Sequence, residues 1–214
     1  MTLAAEIPLF PLDLVLFPNM VLPLHIFEQR YRRMLEDCVE SGEPFGLVRA
    51  REDGGTHRIG TAAHIVRVEG LPDGRSNIVV VGQERFAIDG LRFHKPYLVG
   101  RVSEAEMPGA RAPQALRLLP LIQQGLVAYL TALRTVVGQP VPTPDVPDET
   151  DALGYMVATV LQVGSSVKQS LLEADSVAEM LRMERRLLET ETAILRYMER
   201  TSGQANDAGP ATPN

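Results

Sequence analysis

Lysine is almost absent from this chain: of 21 basic residues only Lys95 and Lys168 are lysines, which reads first as a composition bias. Cysteine is rarer still. Cys38 stands alone, which excludes an internal disulfide and leaves nothing that argues for an oxidising compartment. No run approaches about 18 uninterrupted apolar residues, so no membrane span is expected. The N-terminus lacks a basic stretch and Glu6 interrupts its apolar residues, so no signal peptide is expected and the cytoplasm is the default. Excess positive charge is missing too. Net charge is −6, with 12 basic against 15 acidic residues up to Ala110 and 9 against 12 beyond it, so no lobe is set aside for a phosphate backbone. What remains is ordinary globular composition, 45% hydrophobic and 22% charged, in 214 residues, enough for one large domain or two small lobes.

Proline, by contrast, is concentrated where strand-formers are densest. "IPLFPLDLVLFPNMVLPLHIFEQRY" (7–31) sets Pro8, Pro11, Pro18 and Pro23 between the short apolar runs Ile7–Phe10, Leu14–Phe17 and Met20–Leu24. Proline cannot donate to a ladder and belongs at strand starts, edges and bulges. The pattern predicts short strands with sharp corners, as in a sheet closing into a small barrel, with Pro18–Asn19 as the best turn.

From Phe27 the period becomes helical. Phe27, Tyr31, Met34, Leu35, Cys38 and Val39 form one face and Arg30, Arg32, Arg33, Glu36 and Glu40 the other, ending at Gly42. Strand signals resume at Phe45–Arg49, Ile59–Glu69, Asn77–Gly82, Arg85–Ile88 and Tyr97–Ser103, with "LPDGR" (71–75) as a hairpin turn and "REDGGTHR" (51–58) as a mobile loop. After "MPGARAPQ" (107–114) the text turns helical: Ala115–Val137, Ala152–Val163, Val167–Glu173 and Val177–Arg200. Pro120 is expected to start or kink the first of these, and Asp148–Asp151 to serve the N-terminus of the second. The reading is therefore α+β: a β-barrel lobe with one inserted helix (1–110), then a helical bundle (111–201) holding a proline-rich connector (138–150), and a disordered tail (202–214).

Several of these features together resemble the N-terminal, substrate-binding domain of Lon-type ATP-dependent proteases. "PLFPLDLVLFPNMVLPLHIFEQRY" is similar to that family's opening. The Gly60–Thr61 strand, the "LPDG" turn, "V-x-G-x-x-R-F" at Val80–Phe86 and "VKQSLLEADSVAEML" (167–181) follow in the expected order. The resemblance covers roughly residues 6 to 200 and implies a PUA-like β-barrel lobe followed by a helical bundle, binding polypeptide clients and carrying no cofactor. Lon proteases continue into an ATPase and a serine–lysine peptidase module. No G-x-x-x-x-G-K-[ST] occurs here, "GSSVKQS" (164–170) being only an echo of it. The expectation is a non-enzymatic, stand-alone binding domain.

Other chemistry is thinly represented. "SSVK" (Ser165–Lys168) has the S-x-x-K spacing of some acyl-transfer enzymes, and a serine–lysine hydrolase is the remote alternative. A serine opening a short helix is more naturally an N-cap. His25, His57, His64 and His94 lack the converging spacing that a metal needs, so no metal site is expected. Glu104 and Glu106 share a strand face, and an edge strand ending in solvated charge explains them. A second reading, an RNA-binding PUA-like module, rests on Arg85, Arg92, Lys95 and Arg101 interleaved with Phe86, Phe93 and Tyr97, and the acidic net charge opposes it.

The last helix holds the candidate partner surface. Met180, Leu187 and Ile194 form one column, Leu181, Leu188 and Leu195 its neighbour, with Met183 and Met198 flanking. Part of this stripe packs on the preceding helices. The helix outreaches them, so one end is expected to stay exposed and, with the cleft between lobes, to hold an unfolded segment or a second copy of the chain. Met180, Met183, Leu187, Ile194 and Met198 are the candidate binding residues, for client polypeptides or a separate ATP-dependent protease.

Overall fold

The computed structural model describes residues 5–138 and 145–207, with side chains up to residue 201. The elements are β1 (Glu6–Leu12), β2 (Val21–Ile26), α1 (Gln29–Ser41), β3 (Phe45–Arg49), β4 (Ile59–Gly70), β5 (Ser76–Arg92) and β6 (Leu98–Glu104). The helices α2 (Pro113–Val137), α3 (Thr150–Val160), α4 (Ser165–Leu172) and α5 (Val177–Asp207) follow. One six-stranded sheet has the order β2-β5-β4-β3-β1-β6, and β5 pairs with β6 as well. Only the β1–β3 ladder is parallel. The two strands expected at 77–82 and 85–88 are a single β5 of 17 residues. A register shift opposite Thr61/Ala63 absorbs the irregular residues, as a bulge does, and the strand continues.

Three of the four opening prolines sit inside strands rather than at corners. β1 pairs with β6 over Glu6–Leu9 and with β3 over Leu9–Leu12. Pro8 and Pro11 therefore each lie where β1 has a neighbour on one side only, and no ladder bond need be lost. Pro23 is opposite Val79 in the β2–β5 ladder. Gly82 N–H donates to Met20 C=O at 2.9 Å, so by the two-residue alternation Leu22 and Leu24 face β5 with their backbone while Pro23 faces the open edge. A proline there protects the edge against further pairing. Pro18 and Asn19 are the centre of a turn closed by Met20 N–H on Phe17 C=O at 3.1 Å, with Asn19 at φ 64, the type II pattern.

Leu14–Phe17, expected as a strand, is an irregular buried segment between the lobes. Its side chains alternate: Val15 and Phe17 join the helical core, Leu16 the β-lobe core. A Cβ on Gly82 would stand 2.1 Å from Phe17 C=O, so only glycine lets β5 pass this segment. The β-lobe core stacks Phe10 on Tyr31 of α1 at 4.3 Å, with Phe45 at 5.9 Å. Helix α1 ends on Gly42 in the left-handed region. Phe27 and Val39 are exposed, not buried on its apolar face. Phe27 precedes the helix and stacks on His25, so the helical phase does not apply to it. The 51–58 segment is a hydrogen-bonded turn, with Ala50 bridged to Thr56 and Arg51 N–H on Gly55 C=O at 2.8 Å.

The helical lobe is built on α2 and α5. Pro113 occupies the first turn of α2, which leaves Pro120 in the helix interior. Gly125 lets α5 approach, since a Cβ there would lie 3.2 Å from Leu188 Cδ1. By length and composition α2 is apolar enough to cross a bilayer, and 28% of its most apolar window is buried. Ile122, Leu126, Tyr129 and Leu130 face the core, and Leu116, Leu121 and Val127 remain exposed. Helix α5 spans 31 residues, about 46 Å, and continues to Asp207, six residues into the segment expected to be disordered. Residues 139–144 of the connector and 208–214 of the tail lie outside the described residues.

Candidate functional site

Four regions carry the chemistry that the sequence singles out, and three of them are structural. Ser165 and Lys168 open α4, but its N-cap is Gly164 and no serine caps it. Ser165 Oγ donates to Asp13 Oδ1 at 2.9 Å, and Lys168 Nζ donates to Thr159 C=O at 3.2 Å. Hydrogen bonds from Ser165 first and then from Arg49 Nε hold the Asp13 carboxyl below its usual range, while burial pulls the Lys168 amine down. The serine is thus engaged by a carboxylate and the lysine by a carbonyl, so the two do not form a nucleophile–base pair.

The same helix ties the lobes together. Arg49 of β3 donates through Nε to Asp13 at 3.1 Å and through Nη2 to Ser166 Oγ at 3.0 Å. His57 Nδ1 is 3.0 Å from Glu173 Oε1, and its Nε2 is 3.2 Å from Arg49 Nη1. Guanidinium cannot accept, so in this arrangement Arg49 donates to Nε2 and Nδ1–H donates to Glu173. Gln169, buried, donates to Ile59 C=O at 3.1 Å and to Glu173 at 2.8 Å. This network is a latch between the lobes. Among the described residues no cluster of three His, Cys, Asp or Glu could hold a metal ion.

The basic and aromatic residues do not assemble into a stacking surface. Phe86 and Tyr97 are buried, and Tyr97 donates to Asp37 Oδ2, which also takes Lys95 at 3.0 Å. Arg85 is buried against the Tyr155 hydroxyl, Arg92 pairs with Glu6, and Arg101 donates to Asp89 C=O. Phe93, 79% exposed, has no second ring beside it among the described residues. Glu104 and Glu106 are exposed, but β6 is paired on both sides and is no edge strand.

The fourth region is the last helix, and here the structure divides the expected stripe. Met180 is fully buried, packed where a Cβ on Gly154 of α3 would touch its Cε. Met183 and Leu187 are partly buried against the helical core. Ile194 and Met198 are 47% and 45% exposed, with Tyr197 at 64% beside them. The division follows helix length: α5 outruns α3 and α4, so its first half is covered and its second half is not.

Between the middle of α5 and α2 lies a groove of about 480 Å³. Leu121, Gly125 and Ala128 form one wall, and Leu188, Thr192 and Ala193 the other. The volume is within the range of ligand-binding clefts, roughly 300–1,000 Å³. Its depth comes from small residues: Gly125, Ala128 and Ala193 fill little of the space between two helices set close together. Tyr197 stands one turn beyond Ala193 on the same face, so the apolar surface runs on along α5. The α2 contribution was missed in the sequence; the signal for it was an apolar helix with more hydrophobic residues than one face can hold. Glu184, one turn before Leu188, is fully buried with neither carboxylate oxygen hydrogen-bonded among the described residues, and burial pushes its carboxyl well above the usual range.

Comparison with known proteins places this geometry. Residues 6–190 match the substrate-binding domain of the ATP-dependent protease La (LON). Lon protease of Xanthomonas oryzae is 29% identical over 213 residues, covering 93% of this chain and 24% of that protein. Lon protease of Escherichia coli K12 is 25% identical over 204 residues, covering 91% and 26%. The chain thus spans about a quarter of the length of these relatives. Among solved structures, a Lon N-terminal domain protein from Xanthomonas campestris is similar at TM-score 0.64 and 25% identity, covering 84% of this chain and 96% of that one. The N-terminal domain of Lon protease from the Mycobacterium avium complex shares the fold at TM-score 0.68 and 21% identity, covering 86% and 98%. With the family matched over nearly all of the described residues and the fold shared, the chain belongs to the substrate-binding domain family of the ATP-dependent protease La (Lon).

Proposed function

We propose that this protein binds polypeptide segments that present apolar side chains, in the service of Lon-type ATP-dependent proteolysis, and itself performs no catalysis. The observation that carries the reading is the α2–α5 groove, an apolar cleft floored by small residues and continued along α5 by exposed Tyr197, while Ile194 and Met198 leave further apolar surface exposed on another face of that helix. Soluble surfaces seldom leave such contiguous apolar area uncovered without a partner. Family membership supports substrate binding, and the engaged states of Ser165 and Lys168 speak against a hydrolase. We read the circuit of pairings from β5 through β4, β3, β1 and β6 back to β5 as the small PUA-like barrel that the sequence suggests, with the helical lobe as the binding element. A separate ATP-dependent protease is the partner to which clients would pass. A second copy of the chain competes for the same surface.

The test is fluorescence anisotropy of a labelled, permanently unfolded polypeptide titrated with this protein without ATP, at low and high salt. Saturation that survives high salt is expected, since apolar burial is little screened. Leu121→Glu with Ala193→Glu, both at exposed positions lining the groove, is expected to weaken binding at least about tenfold, the equivalent of about 1.4 kcal/mol. Unchanged binding by this double variant removes the groove from the site, and steep loss with salt shows that charge rather than apolar burial carries the affinity.

A further inference from the structure

We infer that the α2–α5 groove selects apolar segments flanked by carboxylates, an inference that rests on the reading of the groove as a polypeptide site. The groove is a basic feature on an acidic chain of net charge −6. Helix α2 carries no acidic residue in its 25 positions, and its only charges are Arg117 and Arg134. On the α5 rim stand Arg185 and Arg196. Eleven residues separate them, close to three helical turns, so they lie on one stripe about 16 Å apart. Glu189 is the only acid lining the groove, and it is paired with Arg185 at 3.5 Å. Arg196 has no carboxylate partner among the described residues.

The rim therefore offers one half-satisfied and one unsatisfied guanidinium over an apolar floor. Guanidinium binds carboxylate with two parallel hydrogen bonds, so a carboxylate is the natural group to complete each. A span of about 16 Å corresponds to about five residues of extended chain. The matching segment has two carboxylates five residues apart with large apolar side chains between them. The apolar part supplies affinity, and the charges set choice and register.

The experiment uses the full chain and three fluorescein-labelled peptides with the same Leu- and Phe-bearing centre, flanked five residues apart by Glu, by Gln or by Lys. Two exposed ion pairs of ordinary strength correspond to a preference of about two- to thirtyfold for the Glu peptide over the Gln peptide. That preference is expected to shrink in 0.5 M salt, to vanish in Arg185→Gln/Arg196→Gln, and to pass to the Lys peptide in Arg185→Glu/Arg196→Glu. All four substitutions are on exposed side chains, and circular dichroism checks that the fold is kept. Equal affinity for the three peptides, with binding still lost in Leu121→Glu/Ala193→Glu, overturns the charge selection and leaves the groove as an apolar site. A Glu preference that persists in Arg185→Gln/Arg196→Gln overturns the assignment to these arginines. Binding of no peptide overturns both this inference and the function on which it rests.

Discussion

Glu184 is the residue whose replacement should most raise stability. It is fully buried on α5 among Met180, Leu181 and Leu188, and neither oxygen has a partner among the described residues. An unsatisfied buried polar group costs about 1–3 kcal/mol, and a methionine of similar length removes that cost while adding apolar burial. Glu184→Met is expected to stabilise by about 2–3 kcal/mol near neutral pH, or about 4–12 °C in Tm for a chain of this size. The pH dependence is the sharper part. Burial raises the folded-state pKa above the unfolded value of about 4.3, so below that value both states hold the proton and no penalty from ionisation exists. As pH rises, the unfolded chain releases the proton and the folded chain keeps it, and wild-type stability falls by about 1.4 kcal/mol per pH unit until the folded pKa is passed. Urea denaturation of wild type, Glu184→Gln and Glu184→Met from pH 4 to 8 measures this. The gap between Glu184→Met and wild type must widen with pH from its value at pH 4. A constant gap, or a methionine variant less stable than wild type at pH 7, would falsify the claim that this carboxyl is buried without a partner.

Two further outcomes follow from the interior. His57→Ala removes the bonds to Arg49 and Glu173 that join β3 to α4 and should cost about 1–3 kcal/mol in urea denaturation at neutral pH. An unchanged midpoint would show that the latch carries no stability. Gly82→Ala places a methyl 2.1 Å from Phe17 C=O and should destabilise by at least about 2 kcal/mol through forced backbone shifts, whereas Gly70→Ala, with open space around its Cβ, should lose much less. Thermal melts of the two variants side by side decide it.

Much of the order of elements was legible because it is encoded locally. The α1 face of Tyr31, Met34, Leu35 and Cys38, the stop at Gly42 and the 71–75 turn depend on periodicity and backbone permissiveness within a few residues. The exposed ends of the candidate site, Ile194 and Met198, were legible from helix length alone. Met180 was not: its hydrophobic character is the same whether it meets a partner or Gly154, and only the arrival of α3 decides which. The basic–aromatic interleave failed for the same reason, since Phe86 and Tyr97 turn into the core and Arg85 is drawn to Tyr155 of another lobe.

By itself, then, the sequence determined the family, the α+β order and the amphipathic faces, because these rest on spacing and residue type. The tertiary structure alone decided which prolines fall on one-sided stretches of ladder, where Leu14–Phe17 splits its side chains between two cores, and that α2 and α5 leave a groove with arginines on its rim. Each of these needs residues far apart in the chain to meet, and burial and pairing at such contacts are properties of the neighbours as much as of the residue.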